Sequence, residues 1–127
     1  MFKVNIFNIL IASLPHMLLV YLTLIMVVIH AFGTLLSFSK RTFPKSIGYL
    51  VAIYEMAFYF ILVLSPILYS NEIIAIIAYI YLIIHVIGGI AYLRGSLSKI
   101  YSPVRLKYYG VYELIEMTYL LLILIIV

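Results

Sequence analysis

Residues 73–93 read IIAIIAYIYLIIHVIGGIAYL, a run bounded by Glu72 and Arg94 that contains no Asp, Glu, Lys or Arg and one histidine, His85. At about 1.5 Å of rise per residue, a helix of that length is about 30 Å long, the thickness of the hydrocarbon core of a bilayer. Moving outward, three further apolar stretches are long enough to cross: Ile6 to Phe38, Ile47 to Tyr69 and Tyr109 to Val127. Hydrocarbon offers no partner for backbone amides, so each span is expected to be helical. The sequence thus predicts an all-α, integral membrane four-helix bundle, with 1–127 forming a single transmembrane domain.

Composition excludes the alternatives. The chain has 127 residues, 68% of them hydrophobic and 9% charged, with a mean hydropathy of +1.29. Soluble domains average about 45–50% apolar and about 25% charged residues. Too few polar groups exist here to cover a water-facing surface, and disordered chains are poor in apolar residues. The chain has no cysteine, which rules out disulfides, thiolate metal sites and thiol catalysis. No Ser–His–acid set or glycine-rich phosphate loop is present, so the chain is not expected to be catalytic alone.

The basic residues set the expected orientation. Lys40, Arg41 and Lys45 lie between the first two spans, and Arg94, Lys99, Arg105 and Lys107 between the last two. Lys3 is the remaining one. Basic loops stay cytoplasmic, so the expectation is a multi-pass protein of the cell membrane with both termini and the turn at 70–72 outside. The net charge of +4 reads as a topology and lipid-headgroup signal, with no nucleic acid as partner. Ser65-Pro66 should end or bend the second span. The first span is too long for a cleavable signal and lacks a small-residue cleavage site; it is long enough to tilt, or to start late at Pro15.

The halves resemble each other. Ile29-His30-Ala31-Phe32-Gly33 matches Ile84-His85-Val86-Ile87-Gly88, and Glu55-Met56-Ala57-Phe58 matches Glu116-Met117-Thr118-Tyr119. A repeat of two spans keeps its orientation, giving a 2+2 parallel arrangement with its axis along the membrane normal. The depths also match. His30 lies ten residues before Lys40 and Glu55 ten after Lys45; His85 lies nine before Arg94 and Glu116 nine after Lys107. All four therefore fall roughly 13–15 Å from the basic edge. Ionisable groups at that depth cost at least about 2.5–3.5 kcal/mol each when they face lipid, so they should face the interior or a partner.

That layer admits several chemistries. His30 and His85 suit the axial positions of one haem b between helices 1 and 3, with Gly33 and Gly88 giving a flat ring close approach and Glu55 and Glu116 orienting imidazoles or carrying protons. His16, fourteen residues before His30, is more simply an interfacial histidine. The same four residues also suit a His2Glu2 metal site for iron, manganese or zinc. Glu113, at three residues from Glu116, offers another carboxylate but sits nearer the interface. As a structural alternative, His–Glu pairs hold antiparallel helices together without any cofactor. A proton- or ion-conducting transporter is the competing class, although no helix carries the Gly/Pro break expected at such a midplane site. Tyr49, Tyr54, Tyr59, Tyr108, Tyr109 and Tyr112 read as interfacial anchors, with a quinone pocket near Tyr54 and Glu55 as the functional alternative. Met26, Met56 and Met117 read as adaptable core fillers.

In general type, the two His-x-x-Gly pairs on alternate spans of a four-span bundle resemble small membrane subunits of archaeal respiratory complexes and the plan of membrane b-type cytochromes. That resemblance implies a subunit of an electron-transfer complex, part of an oxidoreductase, with haem b or quinone as cofactor and other membrane subunits and the lipid bilayer as partners.

Overall fold

A computed structural model describes residues 6–97 and 102–127. Lys3 and Lys99, counted above in the topology argument, lie outside the described residues. The described chain is all-helical: α1 (Ile6–Phe38), α2 (Lys45–Leu64), a 3-10 turn (Pro66–Ser70), α3 (Glu72–Leu93) and α4 (Leu106–Ile126). Each of the four α-helices is long and apolar enough to cross a membrane, α1 over His16–Phe38.

The ends follow local chemistry. α2 stops at Leu64, before the Ser65-Pro66 pair, and not at Tyr69 where hydropathy alone carried it. Proline lacks the N–H and biases the residue before it toward extended backbone, as Ser65 shows with ψ 122°. Asn71 then caps α3, its Oδ1 accepting from the N–H groups of Ile73 (3.1 Å) and Ile74 (3.2 Å). α1 and α3 end alike. Lys40 (φ 57°) and Gly95 (φ 74°) are left-handed. The N–H groups of Arg41 and Ser96 reach back to the carbonyls of Leu36 and Ala91. Each end falls ten residues after its histidine, at Lys40 and at Gly95.

The helices alternate in direction. α1 packs mainly along α4 and α2 along α3, with a smaller α1–α2 contact, so α1 and α3 stand on a diagonal. Gly110 of α4 meets Ser37 and Phe38 of α1, and Gly48 of α2 meets Tyr92 of α3, which places both basic loops at one end. An apolar cluster fills the other half: Leu19, Met26, Phe58, Leu62, Leu68, Ala78, Leu120 and Ile123 are among its members.

The outer faces differ from those of a soluble protein. Large apolar side chains cover the outer faces, Leu50, Ile73, Ile87 and Ile125 among them, while His30, His85, Glu113 and Glu116 are buried. Such an arrangement is stable where the surroundings are apolar, because lipid-facing charge is costly and lipid-facing Ile is not.

Candidate functional site

The four side chains placed at one depth by helical rise converge in the bundle. His30 Nε2 lies 3.7 Å from Glu55 Oε1 and 3.2 Å from Glu116 Oε1. His85 Nε2 lies 3.9 Å from Glu55 Oε2 and 3.2 Å from the same Glu116 Oε1. The imidazole centroids are 6.4 Å apart with planes at 89°. Ligand atoms of His30, Glu55 and His85 all fall within 4.8 Å of one another, a group able to hold a metal ion. All four helices contribute, one residue each.

Glu113 joins them, which depth alone did not foresee. Its carboxylate bonds His30 Nδ1. It sits one turn nearer the basic edge, as its number implies, but faces Gly33, where an added Cβ would stand 2.8 Å from Glu113 Oε2. Gly33 therefore makes room for a carboxylate, in place of the flat ring expected there. The readable signal was the i, i+3 spacing of Glu113 and Glu116, which puts both on the face turned to His30.

The hydrogen bonds fix which nitrogen is which. His85 Nδ1 is 2.8 Å from the Tyr81 carbonyl oxygen. A carbonyl only accepts, so Nδ1 carries the hydrogen and the neutral ring presents a lone pair at Nε2. On His30, Nδ1 bonds the Glu113 carboxylate, and Nε2, 3.2 Å from Glu116 Oε1, either carries a proton toward that carboxylate or takes a cation in its place. His30 Nε2 and Glu116 Oε2 are buried without a hydrogen-bond partner among the described residues. Two imidazole nitrogens thus face carboxylate oxygens, and each such contact is satisfied by a positive charge between the two atoms, either a proton or a metal ion.

Two tyrosines move out of the interfacial role expected of them. Tyr59 is fully buried; its hydroxyl donates to Glu116 Oε1 at 2.6 Å and its ring stacks on His85 at 4.7 Å. Tyr112 faces the same interior and lines a cavity beside the cluster. Tyr54 donates to the Leu22 carbonyl at 2.8 Å, tying α2 to α1 and pointing away from that cavity, so the expected pocket keeps Glu55 but not Tyr54. Tyr49 and Tyr108 do lie near basic side chains, Lys45 and Lys107, at the loop end. His16 is exposed.

The cavity, about 230 Å³, runs from the loop residues Thr42, Phe43 and Leu97 to Glu55, His85 and Glu113. Gly88 borders it with no heavy atom within 4 Å of an added Cβ. Toward the opposite end the described interior is apolar, and Thr23 there bonds its own helix at the Leu19 carbonyl.

The fold and the site together define an all-helical bundle, its four helices each long and apolar enough to cross a membrane, with a buried histidine–carboxylate cluster. Comparison with known proteins adds no name to that class: no family, characterised protein or solved structure matches the chain.

Proposed function

We propose that this is a small integral membrane protein that holds one divalent first-row transition-metal ion between His30, His85 and Glu55, with Glu116 as a fourth oxygen ligand. The observation that carries this reading is the convergence of both Nε2 atoms on the Glu55 and Glu116 carboxylates. Two metal bonds of about 2.0–2.1 Å at a tetrahedral angle put their ligand atoms about 3.3 Å apart. Both imidazoles stand 3.2 Å from Glu116 Oε1. Glu113 on His30 and the Tyr81 carbonyl on His85 then supply the orientation that metal-bound histidines take from their other nitrogen. Mixed imidazole and carboxylate ligands suit zinc, manganese or iron.

A haem b on the same imidazoles needs a slot between them. The proximity is present, but Glu116 Oε1 and the Tyr59 hydroxyl stand where the macrocycle would pass. A bare ion fits these residues as they lie; a porphyrin would require both side chains to move. The apolar half of the bundle likewise favours a one-ended site over a through-going ion path. An iron or manganese ion there would place one-electron chemistry within the bilayer, which agrees with service in an electron-transfer complex of the cell membrane, basic loops cytoplasmic.

Metal analysis of protein purified without chelator tests the reading. One equivalent per chain is expected, with Co2+ substitution giving a visible band of nitrogen–oxygen coordination. Glu55→Gln should weaken binding about tenfold or more. Folded protein that carries no metal and accepts none, or that shows a haem absorption band in its place, would overturn the proposal.

A further inference from the structure

The cavity beside the cluster has an unbalanced charge at its floor. Glu55, Glu113 and Glu116 set three carboxylates against two imidazoles, His30 and His85. Two imidazolium charges, or one divalent ion in their place, offset two of the three, so one negative charge is left over in either state. Such a charge is costly in an apolar interior unless a cation stands beside it. Its place is at Glu55. Tyr59 and both imidazoles hold Glu116 at 2.6–3.2 Å, and Glu113 bonds His30. The imidazole nitrogens nearest Glu55 stand at 3.7 and 3.9 Å, beyond hydrogen-bond length. Glu55 and Glu113 border the cavity, and no lysine or arginine among the described residues lines it.

We propose that this cavity binds a monovalent organic ammonium ion, its ammonium group on Glu55 and Glu113 and its apolar body, one aromatic ring in size, extending toward the loops. The floor supplies the counter-charge. Tyr92, Tyr109 and Tyr112 line the same cavity, and tyrosine rings attract a cation through their negative faces. Phe43, Val51, Ile84 and Leu97 offer apolar surface to the body, which a bare alkali ion would leave unused. A cavity of about 150 Å³ takes benzene, so about 230 Å³ has room for a ring with a short aminoalkyl arm. The open space lies at Gly88, where an added Cβ meets no heavy atom within 4 Å. Glu113, Tyr92 and Met56 fill the corresponding space at Gly33, Gly48 and Gly89. The inference stands apart from the metal reading, because the surplus charge is the same with or without the ion.

The test is calorimetric titration of the detergent-solubilised chain at neutral pH with phenethylammonium chloride. The comparison ligand is 2-phenylethanol, which has the same body and no charge. Saturable one-to-one binding is expected for the ammonium, tighter than for the alcohol by about tenfold or more. Gly88→Leu, whose side chain extends into the open space, should abolish binding while the metal content stays that of the unaltered protein. Glu113→Gln removes the surplus charge and serves if the leucine variant does not fold. It should weaken the ammonium by about tenfold and leave the alcohol unchanged. A proton on one of the three carboxyls is the competing way to remove the charge; the two ligands would then bind alike, and the proposal would be overturned. Heat that scales only with partitioning into detergent, or ammonium binding unchanged by either substitution, would overturn it too. Titrating metal-free and metal-loaded protein keeps the two readings apart. Binding is expected in both forms, and binding confined to one would defeat the charge count. Ammonium binding by protein that accepts no metal defeats the metal reading alone, and metal uptake without ammonium binding defeats only this one.

Discussion

His30 and His85 stand at equivalent places, each three residues before a glycine and ten before a left-handed helix end, yet the protein holds them by different means. His30 is fully buried, and its outer nitrogen is held by Glu113, a side chain from another helix. His85 is 8% exposed, borders the cavity, and is held by a carbonyl four residues back on its own helix. One is part of a cross-helix charge network; the other is oriented locally and covered by the stacked Tyr59 ring. Equal depth follows from helical rise alone, whereas the surroundings at that depth depend on which helix stands opposite.

The largest expected difference comes from deleting each imidazole. His30→Ala strands Glu113 and Glu116, both buried, without their cationic or donor partner, and loss of one member of a buried charged set costs about 3–5 kcal/mol. His85→Ala leaves Glu116 with Tyr59 and His30, and the Tyr81 carbonyl with its helical bond, so a cost of about 1–2 kcal/mol is expected. Thermal unfolding in detergent, followed by circular dichroism, measures both. Equal losses would erase the distinction between networked and local support. Next in size is Tyr59→Phe. It keeps the stack on His85 and removes only the 2.6 Å bond to Glu116. A buried hydrogen bond between membrane helices contributes about 1–2 kcal/mol at most. Because Glu116 Oε1 faces both imidazoles, the same substitution should also change metal affinity. A stability loss with metal affinity untouched would separate Glu116 from the ligand set.

The same contrast marks how far the sequence could be read. Four long apolar helices and the relative heights of their side chains were legible because period and rise are fixed quantities, and His30, Glu55, His85 and Glu116 did meet. The end of α2 was legible in Ser65-Pro66 and blurred by hydropathy, which stays high through Leu68 while the backbone has already left the helix. What the residue order did not disclose was azimuth. Tyr59 and Tyr112 look like anchors by type, yet their helices turn them inward. Glu113 was placed at the right height, but its destination depended on Gly33 passing opposite it on α1. Nor does a left-handed Lys40 declare itself as Gly95 does, since lysine has no local preference for that conformation.

The smallest expected effects, and the most discriminating, belong to the paired glycines. A methyl at Gly33 would meet Glu113 Oε2 at 2.8 Å and its Cδ at 3.1 Å. The carboxylate is the far end of a flexible side chain, so it would swing aside, and the bond to His30 would go with it. Gly33→Ala should therefore lower stability by about 1 kcal/mol, even though alanine in a helix interior gains up to about 1 kcal/mol over glycine. At Gly88 the methyl meets nothing within 4 Å. Only the helix term acts there, and Gly88→Ala should raise stability by about 0.5–1 kcal/mol. Unfolding midpoints of the two variants should thus shift in opposite directions from the same chemical change at corresponding positions. Shifts of the same sign would mean that Glu113 does not depend on the space at Gly33, and the asymmetry between the two histidines would then rest on His30's burial alone.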